Sequence, residues 1–201
     1  MRCDTSKTNR SSVEIEILKA TYDALLKHGY ADLSVTRIGD ELDKSKSVIY
    51  HHYDTKMDLL SALLDFAVDT FLSRIETHPN RGPTKKLNHF LERLLTSDPA
   101  EEFQLQAVLV CFRSQAVTDQ KIRAQFTRID QRLAATIQDI IARGIQKGVF
   151  CDVEVSQVSE HLLAVINGVI SNRHTTDREG VATTAHASVV SYVESELKQS
   201  C

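Results

Sequence analysis

The sequence predicts an all-α protein of about nine helices. Of its 201 residues, 7 are Gly and 3 are Pro. These turn-forming residue types together make up roughly 12% of an average protein, so this sequence has fewer of them than usual. Apolar residues recur at spacings of three and four along most of the chain, as they do on one face of an amphipathic helix. No stretch alternates strictly enough between apolar and polar residues to predict a strand.

The first helix has clear start and stop signals. Ser11, with Glu14 three residues later, has the sequence of a capping box. Gly29 stands where a left-handed residue commonly ends a helix. A polar arm with an excess of basic residues, at positions 1–10, precedes this helix.

Three more helices are predicted before a proline- and glycine-containing break at residues 78–83. Their N-caps are Ser34, Ser45 and Thr55. The helices that follow Ser34 and Ser45 are short, whereas the one that begins at Lys56 is long and carries leucines along one side.

Beyond the break, apolar periodicity predicts five helices, at about residues 84–96, 99–117, 119–148, 155–173 and 179–198. Pro99 suits the first turn of its helix, where a missing N–H costs nothing. We therefore expect two domains. Residues 1–55 form the arm and a three-helix domain, and residues 56–201 form a larger helical domain that begins with the long linking helix.

Composition excludes several classes of protein. The net charge is −3 and the pI is about 6.2, whereas a protein that coats nucleic acid without sequence preference is usually basic. The longest apolar run, Ala107–Phe112, is too short to span a membrane. The polar N-terminus lacks the apolar segment of a signal peptide, so we expect a soluble, cytoplasmic protein with no membrane partner.

The sequence also lacks the usual signatures of enzymes and metal sites. It has no HExxH, no Gly-rich phosphate loop and no paired carboxylates at a plausible spacing. Cys3, Cys111, Cys151 and Cys201 are too far apart for zinc-ligand spacing. We expect no enzyme activity, no metal and no cofactor. Cys111 lies in the apolar run and is expected to be buried; a redox-sensing role for Cys111 or Cys151 is the alternative.

The segment from Val35 to Lys56 has the pattern of a helix-turn-helix. Ile38, Leu42 and Ile49 are spaced by four and seven residues, which suits a core shared by two short helices. Gly39 is expected where one helix backbone approaches the other closely, and Asp43 stands at the turn, where a left-handed residue is wanted.

Local charge points to DNA as the partner of this motif. Lysines outnumber acids between Lys44 and Lys56, although nine basic and ten acidic residues balance over residues 1–60. So narrow a basic patch suits a module that recognises a site better than one that coats DNA. The alternative is that the apolar spacing reflects only the packing of a three-helix core.

The stretch from about Ser12 to Leu60 resembles the DNA-binding domain of tetracycline-repressor (TetR) family regulators. The likeness lies in Gly29-Tyr30, Ser34-Val35, Ile38-Gly39, Ser45-Lys46, Ile49-Tyr50, His52-Tyr53 and Lys56. Its DKSKS and HYDTK segments are similar to those of archaeal, particularly haloarchaeal, members. The resemblance implies an N-terminal helix-turn-helix domain joined by a long helix to a helical ligand-binding and dimerisation domain.

The resemblance also implies roles for single residues. Ser45 caps the recognition helix, Tyr50 and Lys56 contact phosphates, and the preceding helix touches DNA at Thr36. Val48 replaces a common phosphate-binding Thr, and can instead pack on a thymine methyl. Asp43, Lys44 and Ser47 also depart from the family pattern. The predicted DNA-binding residues are Thr36, Ser45, Lys46, Ser47, Val48, Tyr50, His51, His52 and Lys56.

In the family, the variable C-terminal domain binds a small ligand and dimerises through its last two helices. Apolar stripes on those helices give the predicted dimer interface: Leu162, Ile166, Val169, Ala185, Val189 and Val193. The alternative is that these stripes pack only within one chain. The predicted ligand contacts are Phe66, Phe103, Gln106, Val110, Arg113 and His161.

The function predicted from these observations is sequence-specific transcriptional regulation. We expect a homodimeric, ligand-responsive repressor that binds a palindromic or pseudo-palindromic DNA operator and releases it when a small apolar effector binds. The alternative is a DNA-binding or protein-interaction adaptor that has no small-molecule ligand.

Overall fold

The computed structural model describes residues 10–42, 44–76, 82–96 and 100–199, with no side chains described at 100–104 or at 199. The chain divides into two compact units, Met1–Phe66 and Ala67–Cys201, called here the N-terminal and C-terminal units. The boundary falls within one helix. The arm before residue 10, Asp43, Pro99, Cys3, Cys201 and the side chain of Phe103 lie outside the described residues.

All regular structure in these residues is helical, so the all-α prediction is confirmed. The N-terminal unit contains α1 (Ser12–Asp32), α2 (Val35–Glu41), α3 (Ser47–His52) and the first half of α4 (Lys56–Glu76). The C-terminal unit contains the rest of α4 and five further helices: α5 (Pro83–Leu95), α6 (Ala100–Gln115), α7 (Gln120–Gln146), α8 (Val155–Thr175) and α9 (Val181–Glu194). A π-helical turn, Ser195–Gln199, follows α9.

Side-chain caps start the N-terminal helices as predicted. Ser11 and Glu14 form both hydrogen bonds of a capping box, and these bonds lower the pKa of the Glu14 carboxyl. Ser34 Oγ accepts a hydrogen bond from the Arg37 N–H at 3.3 Å. Thr55 and Asp58 form a second reciprocal pair at the start of α4, each side chain accepting from the other residue's N–H at 3.1 Å.

Gly29 breaks α1 near its end. Its φ of 71° is left-handed and lies inside the helix bounds, so the last residues of α1 form a separate short turn after a kink. Glycine adopts this conformation without the steric cost that a Cβ would add. The core of the N-terminal unit then closes on Ile38, Leu42 and Ile49, which are all buried as predicted.

In the C-terminal unit, α5 to α9 pack against one another around an apolar core. Phe90 and Phe112 are fully buried there. The Phe71 ring of α4 meets the Phe90 ring edge-on, with centroids 5.2 Å apart, and Asp69 of α4 accepts a hydrogen bond from Arg132 of α7 at 2.5 Å.

The prediction that the apolar stripes of α8 and α9 form the dimer interface is corrected by the structure, because most of their residues are buried within one chain. Five of the six residues are at most 5% exposed within a single chain, so they have no surface left for a partner. They stabilise the protomer instead, because α8 and α9 pack on each other and on α5. The five are Leu162, Ile166, Val169, Val189 and Val193; Ala185 is half-buried.

The cysteines differ from their expected states. Cys111, which we expected to be buried, is free and half-exposed. Cys151 is buried and takes part in a disulfide, a state that the cysteine spacing did not predict. None of the described helices is both long and apolar enough to cross a membrane. The described residues also contain no group of three or more acidic, His or Cys side chains placed to hold a metal ion.

Gly144 of α7 provides a test of the packing in the C-terminal unit. A Cβ at this position would lie 1.9 Å from Cδ2 of Phe150, and Phe150 is buried. We expect Gly144→Ala to lower the free energy of unfolding by about 1–3 kcal/mol, since the ring has to leave its site. Urea denaturation monitored by circular dichroism measures this change.

The control is the same substitution in a Phe150→Ala background. Without the ring, the added methyl meets no obstacle, and the helix-propensity gain of about 0.5–1 kcal/mol should remain. An equal loss of stability in both backgrounds would contradict the proposed clash.

Candidate nucleic-acid interface

The short helix α3 is held in place by one buried residue. Ile49 is 1% exposed and is the buried residue of this six-residue helix. Lys46 already has helical dihedral angles (φ −53°, ψ −27°), so the helical turn effectively begins there. Ser45 Oγ accepts a hydrogen bond from the Ser47 N–H at 3.4 Å and lies 3.0 Å from Ser47 Oγ. The N-cap residue of α3 is nevertheless Lys46, which makes no side-chain cap hydrogen bond, so the predicted cap at Ser45 is corrected: Ser45 lies one residue earlier and its side chain bonds Ser47.

Burial of Ile49 turns the opposite face of α3 outward. Lys46, Ser47, Tyr50 and His51 are all exposed, and Tyr50 is exposed to 61%, unusual for so large a side chain. Thr36 of α2 is exposed as well. These residues supply hydrogen-bond donors and acceptors of the kind that contact base edges and phosphates.

Val48 and His52 lie on the flanks of this face, because both are half-buried. The His52 ring meets His51 edge-on at 5.5 Å between centroids. His52 also lies close enough to Glu14 of α1 that its charge contributes to the lowered pKa of that carboxyl.

Lys56 is fixed at the start of α4. Its Nζ donates a hydrogen bond to the Leu33 carbonyl at 2.5 Å and lies 5.4 Å from the centroid of the Tyr30 ring. An ammonium group has three N–H donors, and the Leu33 carbonyl takes one of them. The charged group of Lys56, which we predicted to contact a phosphate, is thus held at a defined position.

Lys46 is also held, by α2. Its Nζ lies 3.0 Å from Asp40 Oδ1, and its stem crosses Gly39. A Cβ on Gly39 would be 2.4 Å from Lys46 Cγ. The expected reason for Gly39 is therefore corrected, since the nearest neighbour is the Lys46 side chain and not the backbone of another helix.

Ion pairs tie the helix-turn-helix to α1. Lys27 bonds Glu41 of α2 at 2.8 Å, which raises the pKa of the lysine, and Lys44 pairs with Glu16. Both pairs are partly exposed, so each adds little to stability. Each pair places a carboxylate beside a lysine of the N-terminal unit.

The predicted ligand contacts lie in different surroundings in the structure. Gln106 is buried, and its Nε2 makes one long hydrogen bond to the Leu94 carbonyl at 3.5 Å. Its Oε1 is buried without a hydrogen-bond partner among the described residues. Val110 is half-buried one turn further along α6.

Arg113 of α6 joins three helices. Its guanidinium donates to both Asp130 oxygens of α7 at 2.7 and 3.0 Å and to Asn167 of α8 at 3.4 Å. It also lies 4.6 Å from the centroid of the Phe126 ring. A bidentate arginine held by three residues has a structural role.

His161 and Phe66 lie elsewhere. His161, which we expected to reach inward, is exposed on α8 and packs its ring against Tyr192 of α9 at 4.6 Å. Phe66 is the last residue of the N-terminal unit, and its ring lies under the Arg10 guanidinium at 5.7 Å. The cation–π contact at Phe66 belongs to the N-terminal unit.

Two open clefts lie in the C-terminal unit, and their lining includes none of the predicted ligand contacts whose side chains the structure describes. One of about 160 Å³ lies between α4 and α5, beside Phe71 and Ile75. The other, of about 400 Å³, lies between α7 and α8, beside Asp130 and Leu163.

Known proteins share this arrangement. Residues 17–63 match the family model of the bacterial regulatory proteins of the tetR family. Residues 83–198 match the model of the C-terminal region of BetI-type transcriptional repressors. The second match alone covers more than half of the chain.

The relatives are transcriptional regulators. The HTH-type transcriptional repressor AcnR of Corynebacterium efficiens is 27% identical over 185 residues, which are 92% of each chain. A TetR transcription regulator from Haloarcula marismortui is 35% identical, with a TM-score of 0.80 over 94% of this chain and 100% of that one. A regulator from Saccharomonospora viridis in complex with choline is 22% identical, with a TM-score of 0.74 over 94% and 98%.

Proposed function

This chain belongs to the TetR family of DNA-binding transcriptional regulators, which are not enzymes, and we propose that it is a homodimeric repressor whose small-molecule effector releases it from a palindromic or pseudo-palindromic operator. The observation that carries the proposal is the outward face of α3, which is held by Ile49 and lies in the same unit as the fixed ammonium of Lys56.

The exposed residues of α3 are proposed to enter the major groove. Lys46, Ser47 and His51 can donate to base edges, and the side chain of Val48 offers a methyl surface to thymine. A recognition helix in this role presents its N-terminal residues to the bases, and Lys46 and Ser47 are at that end of α3.

Lys56 and Tyr50 are proposed to contact phosphates. Lys56 is anchored on the Leu33 carbonyl, so it loses little freedom when a phosphate oxygen joins it. The exposed Tyr50 carries one hydroxyl donor. Contacts of this kind fix the register of the protein on DNA without carrying sequence information.

The dimer is proposed to form through the outer faces of α8 and α9. From Val181 to Val193, α9 contains no Asp, Glu, Lys or Arg, although Ala187, Ser188 and Ser191 are exposed. Ala164 is exposed on α8. Depletion of charge on an exposed helix is typical of the core of an interface, and small side chains let helices approach closely.

The effector is proposed to bind in the C-terminal unit alongside Gln106. The buried Oε1 of this residue can accept a hydrogen bond from a ligand that enters between α5 and α6. Helix α4 belongs to both units, so a ligand that displaces its second half can act on Lys56 at its start. Choline, which the Saccharomonospora viridis structure holds, belongs in the set of compounds to be tested.

Lys56→Ala should weaken binding to all DNA sequences alike. Loss of one phosphate contact per subunit lowers the slope of log K against log salt by about one for each contact. Tyr50→Phe should give only the uniform loss of affinity, because the side chain is neutral. Fluorescence anisotropy with an operator selected from random DNA, measured over a salt series, checks both. A change in the preferred operator sequence in Lys56→Ala would contradict the phosphate assignment.

Ala187→Glu should convert the dimer to monomers, because it places a charge on the uncharged outer face of α9. Ala124→Glu, at an exposed alanine of α7, is the matched control and should leave the mass unchanged. Light scattering measures the mass in solution. Substitutions at Val189 or Val193 would not test the dimer, since they would disrupt the core of one chain. An unchanged mass in Ala187→Glu would remove this face from the interface.

An effector and the operator should weaken each other's binding by the same factor. A 100-fold loss of operator affinity corresponds to about 2.7 kcal/mol of coupling, and that coupling is reciprocal. Compounds found by thermal shift are titrated with and without operator, in the wild type and in Gln106→Leu. A compound that binds equally well in both conditions would exclude induction by that compound and favour the adaptor hypothesis.

A further inference from the structure

The ion pair between Lys46 and Asp40 joins the two helices of the helix-turn-helix. Asp40 is the penultimate residue of α2, and Lys46 is the N-cap residue immediately before α3. Nζ and Oδ1 are 3.0 Å apart, although the side chains are 45% and 61% exposed. An exposed pair of this kind contributes little to stability. Its position between α2 and α3 is therefore more relevant to DNA binding than to stability.

Gly39 holds the stem of Lys46 in the geometry that this pair needs. Cγ, Cδ and Cε of Lys46 would lie 2.4 to 3.0 Å from a Cβ at position 39. The stem therefore lies against Gly39, in space that a side chain at this position would occupy. Two separate features, a carboxylate at the tip and the space above Gly39, allow this one position of the lysine.

Asp40 stands on the side of α2 that is proposed to face DNA. It lies four residues after Thr36, so the two side chains share one face of the helix, and both are exposed. A carboxylate on this face repels phosphates. Without a compensating benefit, it would only weaken binding to DNA of any sequence.

We propose that Asp40 is a specificity-determining residue, which positions Lys46 for the base edges and withholds it from the phosphates. This inference rests on the proposed function, in which Lys46 faces the major groove. An unpaired lysine contacts whichever phosphate is near and adds the same affinity to every sequence. A lysine confined by Asp40 and Gly39 reaches one point in the groove, and the acceptors that suit it best there are O6 and N7 of guanine.

Asp40→Asn tests the proposal by releasing Lys46. We expect tighter binding to a random-sequence duplex and a steeper dependence of log K on log salt, by about one per subunit. The ratio of operator to random-sequence affinity should fall on the order of ten-fold, which is what one good base contact supplies. The operator is the sequence selected from random DNA by the wild-type protein.

Glu41→Gln is the matched control, because it removes the same charge one residue further along α2. Glu41 pairs with Lys27 of α1 at 2.8 Å, whereas Asp40 pairs with Lys46. It should change the salt slope and the specificity ratio much less than Asp40→Asn. Equal effects of the two substitutions would overturn the proposal, since charge alone would then explain them.

Two further variants separate position from charge. Gly39→Ala leaves the net charge unchanged but forces the Lys46 stem to move, and it should also lower the specificity ratio. In a Lys46→Ala background, Asp40→Asn should no longer steepen the salt slope by the same amount, because the lysine that it releases is absent. A thermal melt of each variant confirms that it is folded.

The outcomes distinguish this inference from the proposed function. If Lys46→Ala binds the operator as tightly as the wild type, the assignment of Lys46 to the DNA interface fails, and the role of Asp40 fails with it. If Lys46→Ala weakens operator binding but Asp40→Asn changes only the melting temperature, the DNA interface stands and Asp40 is merely structural.

Discussion

The burial of Ile49 is the constraint on which the proposed DNA-facing surface depends. Helix α3 has six residues, and an isolated helix shorter than about 12–15 residues is marginal in water. Its form therefore comes from packing, through one side chain that is 1% exposed and lies in a core with Ile38 and Leu42. Because Ile49 fixes the rotation of α3, it also decides which residues face outward.

Features that depend on neighbours in the sequence could be predicted from the sequence. The caps at Ser11, Ser34 and Thr55 bond to groups three residues away, and the left-handed conformation of Gly29 is a property of that residue type. The helices after residue 82 end within a few residues of their predicted limits for the same reason. The DNA-binding motif could be recognised because its apolar spacing and its resemblance to a family agree.

Features that depend on the tertiary partner could not be predicted. An apolar stripe on α8 or α9 has the same sequence pattern whether it packs within its own chain or against a second copy. In the structure these stripes are buried within a single chain. The pattern of α9 contains a different signal, the absence of charge between Val181 and Val193, and that signal points to the opposite face. Likewise, Gly39 was assigned to a close approach of helices, because no local rule shows that a lysine seven residues later lies on it.

The pairing of basic residues explains how a chain of net charge −3 can serve as a DNA-binding protein. In the described part of the N-terminal unit, Lys27, Lys44 and Lys46 are each paired with a carboxylate, and Lys56 is bonded to a carbonyl. Paired lysines add little to the affinity that every DNA sequence shares, which comes from unpaired positive charge. Affinity for the operator must then come from the placement of a few groups relative to one another. If operator binding depends on where a few groups lie relative to one another, a small separation of the two recognition helices is enough to abolish it. Binding that depends on total positive charge is not sensitive to so small a movement. The balance of charge in the N-terminal unit therefore suits the proposed control by a ligand in the C-terminal unit.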